Sequence, residues 1–561
     1  MSEALDLVFL WHMHQPDYRD HTGGDIQLPW TYLHALKDYT DMAAHLERHP
    51  GIRCVVNFVP VLLDQIEDYC RQFDSGRFRD PLLRLLATPT LDDLPLSDRR
   101  LLLNACFRSH HDTMLTPFPR YQRLYGLYRQ LAREGDAALA YLSGAYYADL
   151  VTWYHLSWTG ETERRSQPLL AELMSKGEGY TFGERRALLE LIGQTLQRLL
   201  PRWRALQQRG QVELSATPDT HPLAPLLLDF ACARETLPEA PLPFAQTYPG
   251  GRSRLDAHIA AALARHAERF GAPPAGMWPA EGAISTAVVH QFGQHGCRWI
   301  ASGEGVLRNS LAAAGIDGTR AAYRPWRLAN STEPVIFFRD ERLSDLIGFE
   351  YSKWHGRDAA GHFIHELEAI RAATPADETA IVAVILDGEN AWEHYPYNGY
   401  YFFDDLYNLL ENHPFIRTTT FDALLANDPP CGTLPTVVAG SWVYGTLSTW
   451  IGDAEKNRAW ELLCAAKQSY DLVVGSGRLS PAEVAAAERQ LAICESSDWF
   501  WWFGDYNPSI TVTSFDHLFR RNLANLYRLL KLHPPPQLDA PISAGSNSAL
   551  GGTMRRATEN P

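Results

Sequence analysis

The sequence has no long hydrophobic run, no signal-peptide pattern and no internal repeat. Within its 561 residues, no segment approaches the roughly 18 consecutive apolar residues that a membrane-spanning helix needs. Residues 1–16 carry neither the basic segment nor the small-residue cleavage site of a signal peptide. We therefore expect a cytoplasmic protein without a membrane partner.

Cysteine pairs and basic clusters are absent as well. The eight cysteines are scattered and none belongs to a CxxC pair, so the sequence predicts neither a structural zinc site nor a disulfide framework. The formal net charge is −15, and no run of Lys and Arg offers contacts to phosphates. We expect no nucleic-acid partner. The sequence does not determine the oligomeric state.

Aromatic residues, by contrast, are plentiful. They make up 11% of the chain, with 16 Trp and 24 Tyr, while hydrophobic residues together make up 45%. A chain of this size and composition can bury one large core and a smaller second one, so we expect two folded units. Trp and Tyr rings stack on sugar rings but also fill protein cores. The composition therefore permits a sugar-binding cleft without establishing it.

Short apolar segments alternate with amphipathic segments of helical length along much of the chain. The segments that read as buried strands are 5–11, 52–60, 212–215, 276–279, 299–301, 335–338 and 380–386. Amphipathic segments such as 253–270 separate most of them. This alternation predicts a parallel α/β sheet or barrel.

Changes of pattern divide the chain further. Residues 1–425 form the predicted α/β domain, in which residues 81–210 show helical periodicity without strand signals and predict a helical insertion. Residues 426–533 contain more helical segments, one with Ser480 as its N-cap, and predict a C-terminal helical bundle domain. Residues 534–561 are rich in Pro, Ser and Gly, and predict a disordered tail.

Two carboxylates follow predicted strands directly. Asp387 ends a buried apolar run, and Glu281 follows Trp278 and Pro279 and precedes Gly282. Taken alone, each acid could simply stabilise the start of a helix. In parallel barrels, however, catalysis is built at the carboxyl ends of the strands. A pair of acids there predicts glycoside hydrolysis, in which one carboxylate attacks or stabilises the anomeric carbon and the other protonates the departing oxygen.

Two histidines, His12 and His14, flank one residue just after the first predicted strand and should face the same side. With Glu213 or His221 they could bind a metal, which would indicate a metal-dependent hydrolase or deacetylase. They could equally hydrogen-bond sugar hydroxyls, and the lack of a firmly placed third ligand favours that interpretation. Because an unpaired charge in a buried strand is costly, we expect Glu213 to face the cleft or a histidine.

An aromatic, glycine-containing loop lies at residues 440–453, and a second aromatic cluster lies at 498–504. The loop contains Trp442, Trp450 and Asp453 and is typical of the stacking surfaces of a sugar cleft, with core packing as the competing interpretation. The cluster is expected to pack the helical domain against the barrel.

Five sequence blocks together resemble glycoside hydrolase family 57. They are HMHQP at residues 12–16, GQVEL at 210–214, GMWPAE at 276–281, LDGEN at 386–390, and the loop from Gly-Ser-Trp at 440–442 to Trp-Ile-Gly at 450–452. Their order and spacing match the family across residues 5–530. The end of the fifth block resembles the amylase and amylopullulanase branch more than the branching-enzyme branch.

The resemblance implies a distorted TIM-like (β/α)7 barrel followed by a helical domain. It also implies action on α-glucans by a retaining mechanism, without a metal or an organic cofactor. Glu281 is then the nucleophile and Asp387 the general acid/base. The residues expected to bind substrate are His12, His14, Glu213, Trp278, Glu389, Trp392, Trp442, Trp450 and Asp453.

The expected reaction is hydrolysis of α-1,4 bonds, with α-1,6 bonds as a further candidate. A 4-α-glucanotransferase would use the same two carboxylates, so the sequence does not separate the two activities. Two other classes stay open. One is a metal-dependent carbohydrate deacetylase or hydrolase that uses His12, His14 and His221, and the other is a non-catalytic glycogen-binding protein.

Overall fold

The computed structural model describes residues 4–329, 331, 334–547 and 553–557. Its strands belong to one sheet. In chain order they are β1 (Leu5–Met13), β2 (Cys54–Phe58), β3 (Val212–Ala216), β4 (Gly276–Met277), β5 (Trp299–Gly303), β6 (Trp326–Leu328), β7 (Val335–Arg339), β8 (Ala380–Asp387), β9 (Ile416–Thr418) and β10 (Gly432–Leu434).

Seven of these strands close into a parallel barrel. The order is β1, β2, β3, β4, β5, β7 and β8, and the ring closes where β8 pairs with β1. Each barrel strand coincides with one of the seven segments predicted as buried strands, which confirms the (β/α)7 barrel. These segments are continuously apolar because the interior side chains pack on one another while the outer face is covered by helices.

The three remaining strands extend the sheet outside the ring. β6 pairs antiparallel with β7, β10 pairs with β6, and β9 pairs with β1. Since β10 follows residue 425, the sheet takes one more short strand beyond the boundary predicted for the α/β domain before the helical region begins.

Helices make up most of the remaining chain. Up to β3 they are α1 (Trp30–His34), α2 (Thr40–Arg48), α3 (Pro60–Ser75), α4 (Pro81–Leu86), α5 (Leu96–Ala105), α6 (His111–Met114), α7 (Pro119–Leu131), α8 (Gly144–Ser157), α9 (Glu161–Ser166), α10 (Pro168–Lys176) and α11 (Phe182–Gln208). After β3 they are α12 (Ala224–Leu228), α13 (Gly251–Phe270), α14 (Thr286–Gln294), α15 (Glu304–Ala314), α16 (Glu341–Asp345), α17 (Gly356–Ala373), α18 (Tyr400–Glu411), α19 (Phe421–Leu425), α20 (Ala454–Gly475), α21 (Pro481–Cys494), α22 (Asp498–Trp502) and α23 (Ser509–Leu529). None of the helices in the described ranges is long and apolar enough to cross a membrane.

Helices α4 to α11 occupy the chain between β2 and β3, where the sequence predicts a helical insertion. The long helix α11 begins with a capping box, in which Thr181 and Glu184 satisfy each other's backbone N–H groups. Arg185 on its first turns donates to the backbone carbonyls of Leu86 and Thr88, 2.9 and 2.8 Å away, and so ties α11 to the end of α4.

Helices α20 to α23 form the C-terminal helical region. Ser480 caps α21 as predicted, in a capping box with Glu483. The ammonium of Lys456 on α20 is buried and donates to the carbonyls of Thr449, Phe500 and Phe503 at 2.7, 2.9 and 2.7 Å. Burial lowers its pKa well below the usual value. One side chain thereby joins the aromatic loop of residues 440–453 to α22.

The predicted disorder of residues 534–561 does not hold for the two described parts of the tail, 534–547 and 553–557. Leu538 and Ile542 are buried, and the Ile542 N–H donates to Asp516 of α23 at 2.7 Å. The guanidinium carbon of Arg555 lies 4.5 Å from the ring centroid of Trp501. A few apolar and cation–π contacts are therefore enough to hold a segment of low hydrophobicity. The remaining tail residues lie outside the described ranges.

Replacing Ile542 by alanine tests this packing. We expect Ile542→Ala to lower the free energy of unfolding by about 2–4 kcal/mol, because the buried side chain leaves a cavity. The matched control is Ile510→Ala on α23, since Ile510 is 61% exposed and should tolerate the change. Thermal unfolding of both variants measures whether the tail packs on the protein. Equal melting temperatures of Ile542→Ala and Ile510→Ala would mean that the tail is disordered, as its composition predicts.

Candidate functional site

A cleft of about 440 Å³ opens at the carboxyl ends of the barrel strands. Its lining includes six of the residues predicted as site residues from the sequence. They are His12, His14, Glu281, Asp387, Glu389 and Trp442. The remaining wall comes from the segment after β1 that includes α1, from the loops after β3 and β8, from the helical insertion, from α22 and α23, and from residue 553. The site therefore lies where the barrel meets both helical regions.

Glu281 stands on the turn after β4 in an unusual backbone conformation. Its φ of +59° falls in the left-handed region, which non-glycine residues rarely adopt and which is common at functional sites. The next residue must be glycine, since a Cβ on Gly282 would lie 2.7 Å from the Trp278 ring. The carboxylate is buried and accepts hydrogen bonds from Ser497 Oγ at 3.0 Å and Trp442 Nε1 at 3.1 Å. Both oxygens are thus held in place.

Asp387 is the last residue of β8 and lies beside His12 in the register of β1 and β8. Asn390 donates to its Oδ2 at 2.8 Å. The chain turns sharply at Gly388, whose N–H donates to the His12 carbonyl at 2.7 Å and where a Cβ would collide with the Met13 sulphur. This close approach explains the glycine that follows the acid.

The two carboxyl groups influence each other's ionisation. Burial, together with the carboxylates of Asp498 and Asp387, raises the pKa of Glu281 to about 8. Burial likewise raises the pKa of Asp387 to about 6. At neutral pH the unliganded pair therefore retains a proton, and the higher pKa places it on Glu281.

A chain of hydrogen bonds supports Glu281 from the barrel side. It runs from Asn57 to His12 at 2.7 Å, from His12 to His221 at 3.1 Å and from His221 to Ser497 at 2.7 Å, and Ser497 then donates to Glu281. Burial lowers the pKa of His12 to about 3 and that of His221 well below the usual value. Both rings are therefore neutral hydrogen-bonding groups at neutral pH.

A third carboxylate, Asp498, enters the cleft from the start of α22. It lies 2.9 Å from Nε2 of His14. Nearby, buried Glu389 accepts from the His14 N–H and the Gln15 side chain, each at 3.3 Å. Burial raises the pKa of Glu389 well above its usual value and so favours its neutral form.

His14, His221 and Asp498 offer ligand atoms that lie within 4.8 Å of one another. Two imidazoles and a carboxylate are a ligand set that divalent transition metals accept. The candidate nitrogens are already hydrogen-bonded, His14 Nε2 to Asp498 and His221 Nδ1 to Ser497. Glu213, the other ligand considered from the sequence, is not part of this group.

Five other residues predicted to bind substrate do not line the cleft. Glu213 lies near the start of β3, where it accepts from Trp299 Nε1 at 2.7 Å and the Asp422 N–H at 2.9 Å. Its charge is satisfied inside the barrel, away from the carboxyl ends of the strands. Burial raises its pKa to about 7.

The other four are Trp278, Trp392, Trp450 and Asp453. The three indoles are fully buried. Trp278 packs edge-on against Trp442, with ring centroids 5.2 Å apart, and Trp392 donates to the Gly388 carbonyl at 2.8 Å. Asp453 caps α20 by accepting from the Glu455 N–H at 2.7 Å. Trp278 thus packs against the cleft residue Trp442, and Trp392 holds the turn that follows Asp387.

The sequence analysis missed Ser497, and it assigned the cluster at 498–504, which includes Asp498, to packing, whereas Asp498, Trp501 and Trp502 line the cleft. An acid directly before the aromatic run at 499–503 is a weak signal that could have been noticed. No local pattern shows that this segment folds onto the barrel. The structure docks it there through a hydrogen bond of 2.8 Å from the Ser497 N–H to the His221 carbonyl.

The family model described as glycosyl hydrolase family 57 matches residues 8–433. The chain belongs to this family. A sequence comparison with curated proteins finds no match. The family's model thus covers the barrel with its insertion, and the site described above lies mostly within the matched residues.

Solved structures with the same fold include two branching enzymes and an amylase. The GH57 branching enzyme from Thermococcus kodakaraensis is 15% identical with a TM-score of 0.57, and the alignment covers 94% of this chain and 90% of that one. The GH57-type branching enzyme from Pyrococcus horikoshii is 16% identical, with a TM-score of 0.56 and 99% of each chain covered. The α-amylase AmyC from Thermotoga maritima is 12% identical, with a TM-score of 0.55 and coverage of 94% and 93%. At these identities the comparison shows a shared fold.

The hydrogen bonds around His14, His221 and Asp498 predict that the cluster holds together without an ion. Exhaustive dialysis against a chelator should leave the melting temperature of this family 57 protein unchanged. Removal of a structural ion would instead lower the melting temperature, because a bound ion stabilises the folded state by mass action. Elemental analysis before and after dialysis is the companion measurement. About one equivalent of zinc, with a lower melting temperature after its removal, would support the metal-dependent alternative.

Proposed function

We propose that this family 57 protein is a retaining glycoside hydrolase that cleaves α-1,4 bonds of α-glucans, with α-1,6 bonds as further substrates. The observation that carries the proposal is the placement of Glu281 and Asp387 in one cleft. Glu281 is oriented by two donors, and the ionisation of the two acids is coupled. Two acids in one cleft can divide the roles of nucleophile and proton donor, and the proposed roles require the proton to lie on Asp387 when the substrate reacts.

The first step forms a covalent glycosyl-enzyme. An ionised Glu281 oxygen attacks the anomeric carbon while the bond from that carbon to the departing oxygen breaks. Asp387 gives its proton to the departing oxygen. Ser497 and Trp442 stabilise the ionised form of Glu281 by donating to it. Retention of configuration requires the two carboxyl groups to stand about 5–5.5 Å apart.

The second step regenerates the enzyme. Asp387, now ionised, takes a proton from water, and the resulting oxygen nucleophile attacks the anomeric carbon. The bond to Glu281 breaks and the carboxylate is restored. Two inversions give the retained product.

The substrate class follows from the chemistry of the lining. Neutral His12 and His221 hydrogen-bond hydroxyls rather than charged groups, and burial favours the neutral form of Glu389 beside them. Aromatic side chains such as Trp501 and Trp502 line the same cleft and offer stacking faces. A neutral glucan chain satisfies both features.

Transfer to a second sugar is the alternative activity, as in a 4-α-glucanotransferase. Aromatic rings line the cleft from three elements, at Trp30 of α1, at Trp158 just after α8 of the helical insertion, and at Trp501 and Trp502 of α22. Stacking faces from several elements favour the binding of an acceptor sugar as well as a donor. Product analysis on maltoheptaose with and without added maltose separates the activities, because a transferase makes longer chains.

Mass spectrometry with 5-fluoro-α-glucosyl fluoride tests the proposed nucleophile. The wild-type protein should gain one fluoroglucosyl group, and Glu281→Gln should gain none because an amide does not attack the anomeric carbon. Asp387→Asn should still form the adduct, since fluoride leaves without a proton, and should lose at least about 10³-fold in kcat/KM on maltoheptaose.

The matched control for this experiment is Glu488→Gln, since Glu488 is half-exposed and pairs with Arg254 outside the cleft. It should form the adduct as the wild type does. Wild-type protein that forms no adduct and turns over no glucan would contradict the proposed function. Unchanged glucan binding in that case would favour the non-catalytic class.

The pH dependence tests the hydrogen bonds to Glu281. Ser497→Ala removes a donor that stabilises the ionised carboxylate, so the pKa of Glu281 should rise. Because the pKa of Glu281 lies above that of Asp387, a further rise reduces the fraction of protein with Glu281 ionised and Asp387 protonated. We therefore expect kcat/KM to fall about tenfold and the basic limb of its pH profile to move about one unit to higher pH. Trp442→Phe should move it in the same direction.

The control for the pH profile is Ser166→Ala, which changes an exposed serine at the end of α9 and should leave the profile in place. A basic limb that stays fixed, or moves to lower pH, in both Ser497→Ala and Trp442→Phe would show that these donors do not set the ionisation of the nucleophile.

A further inference from the structure

The loop between α5 and α6 brings three polar residues, Arg108, Ser109 and His110, to the wall of the cleft. This loop belongs to the helical insertion, so the barrel does not build this part of the wall. None of the three takes part in the hydrogen-bond chain that ends at Glu281. These residues are therefore not part of the network that holds Glu281 in place.

The guanidinium of Arg108 is partly buried and has no acceptor among the residues that the structure describes. No carboxylate of those residues lies within 4.0 Å of it. Its neighbour is the ring of Trp30, whose centroid is 6.0 Å from the guanidinium carbon. A guanidinium carries five N–H donors in one plane, and withdrawing them from water without acceptors is unfavourable. A ligand with several oxygens would satisfy them.

Ser109 and His110 add further free hydrogen-bonding groups beside it. The Oγ of Ser109 is buried and finds no partner within the described parts of the chain. His110 is held in place from one side, since its Nδ1 lies 2.9 Å from Thr113 Oγ1 and its ring packs edge-on against His394 at 4.6 Å. Burial and the neighbouring His394 lower the pKa of His110, which leaves its ring neutral.

An aromatic surface completes this part of the wall. The rings of Trp30 and Trp158 both line the cleft, with centroids 5.7 Å apart. Indole faces next to fixed donors and acceptors are the combination that a sugar ring needs, because its C–H faces stack while its hydroxyls hydrogen-bond.

We propose that Arg108, Ser109 and His110 form a subsite for a glucosyl unit of the α-glucan chain, away from the bond that is cleaved. This inference rests on the proposed function. Arg108 stands on the wall that the helical insertion builds and forms no ion pair with Glu281 or Asp387, so we assign to it a sugar other than the one that Glu281 attacks. The helical insertion thereby sets the preference for chain length.

Kinetics with a long and a short substrate test the subsite. For Arg108→Ala we expect the KM for maltoheptaose to rise about tenfold with kcat nearly unchanged, because a charge-assisted hydrogen bond to the chain is lost. The KM for α-glucosyl fluoride should rise less than about twofold. Arg108→Lys keeps the charge but loses the planar arrangement of donors, so its KM for maltoheptaose should lie between those of the wild type and Arg108→Ala. Arg133→Ala, an exposed arginine of the same insertion, is the control.

Calorimetry in an inactive background gives an independent readout. The double variant Arg108→Ala with Glu281→Gln should bind maltoheptaose about tenfold more weakly than Glu281→Gln alone. If Arg108→Ala proves unstable, Ser109→Ala replaces it, with an expected weakening of about threefold.

Equal affinity for maltoheptaose in Glu281→Gln with and without Arg108→Ala would overturn the proposed subsite. An equal loss of kcat/KM by Arg108→Ala on the long and the short substrate would overturn it as well. A wild-type protein that turns over neither substrate would instead contradict the proposed function. The calorimetric comparison would still decide whether this wall binds glucan.

Discussion

The burial of the Glu281 carboxylate is the constraint on which the rest of the site depends. A carboxylate withdrawn from water must receive hydrogen bonds before it can carry a charge. The barrel fixes the backbone of Glu281 but supplies neither of its two donors. Ser497 and Trp442 both come from the chain after β10, so the barrel alone does not contain a complete site.

This division makes the docking of the helical region part of the site itself. The loop that carries Trp442 is joined to the turn of Glu281 by a backbone hydrogen bond of 3.1 Å, and Ile284 pairs with Gly440. The segment that carries Ser497 pairs with the barrel through Pro222 and Ser496. Buried Lys456 then joins the two segments from within. Movement of either segment would change the ionisation of Glu281.

The cleft balances several buried polar groups by keeping most of them neutral. His12 and His221 lose their charge through burial, and burial raises the pKa of Glu389 and so favours its neutral form. Such a lining suits a ligand of many hydroxyls and no charge. Arg108 is the contrasting case, since a guanidinium keeps its charge in proteins and must find oxygens in a ligand instead.

The sequence by itself determined the seven barrel strands and the two carboxylates at strand ends, because apolar periodicity and a glycine beside an acid are local features. It also indicated His12 and His14, which follow directly from the end of β1. It could not separate residues that line the cleft from residues that do not. Trp278 and Trp392 only pack beside the site, and Glu213 lies apart from it. Burial inside a barrel depends on neighbours distant in the chain.

Only the tertiary structure decided what Glu281 receives as hydrogen-bond partners and what forms the outer walls. Ser497 and Asp498 lie more than 200 residues from Glu281, and Arg108 lies in an insertion without any motif. Their roles arise from the docking of helices onto the barrel, which no local pattern encodes. The described parts of the tail are a further example. Their composition predicts disorder, but long-range contacts of Leu538, Ile542 and Arg555 hold them against the protein.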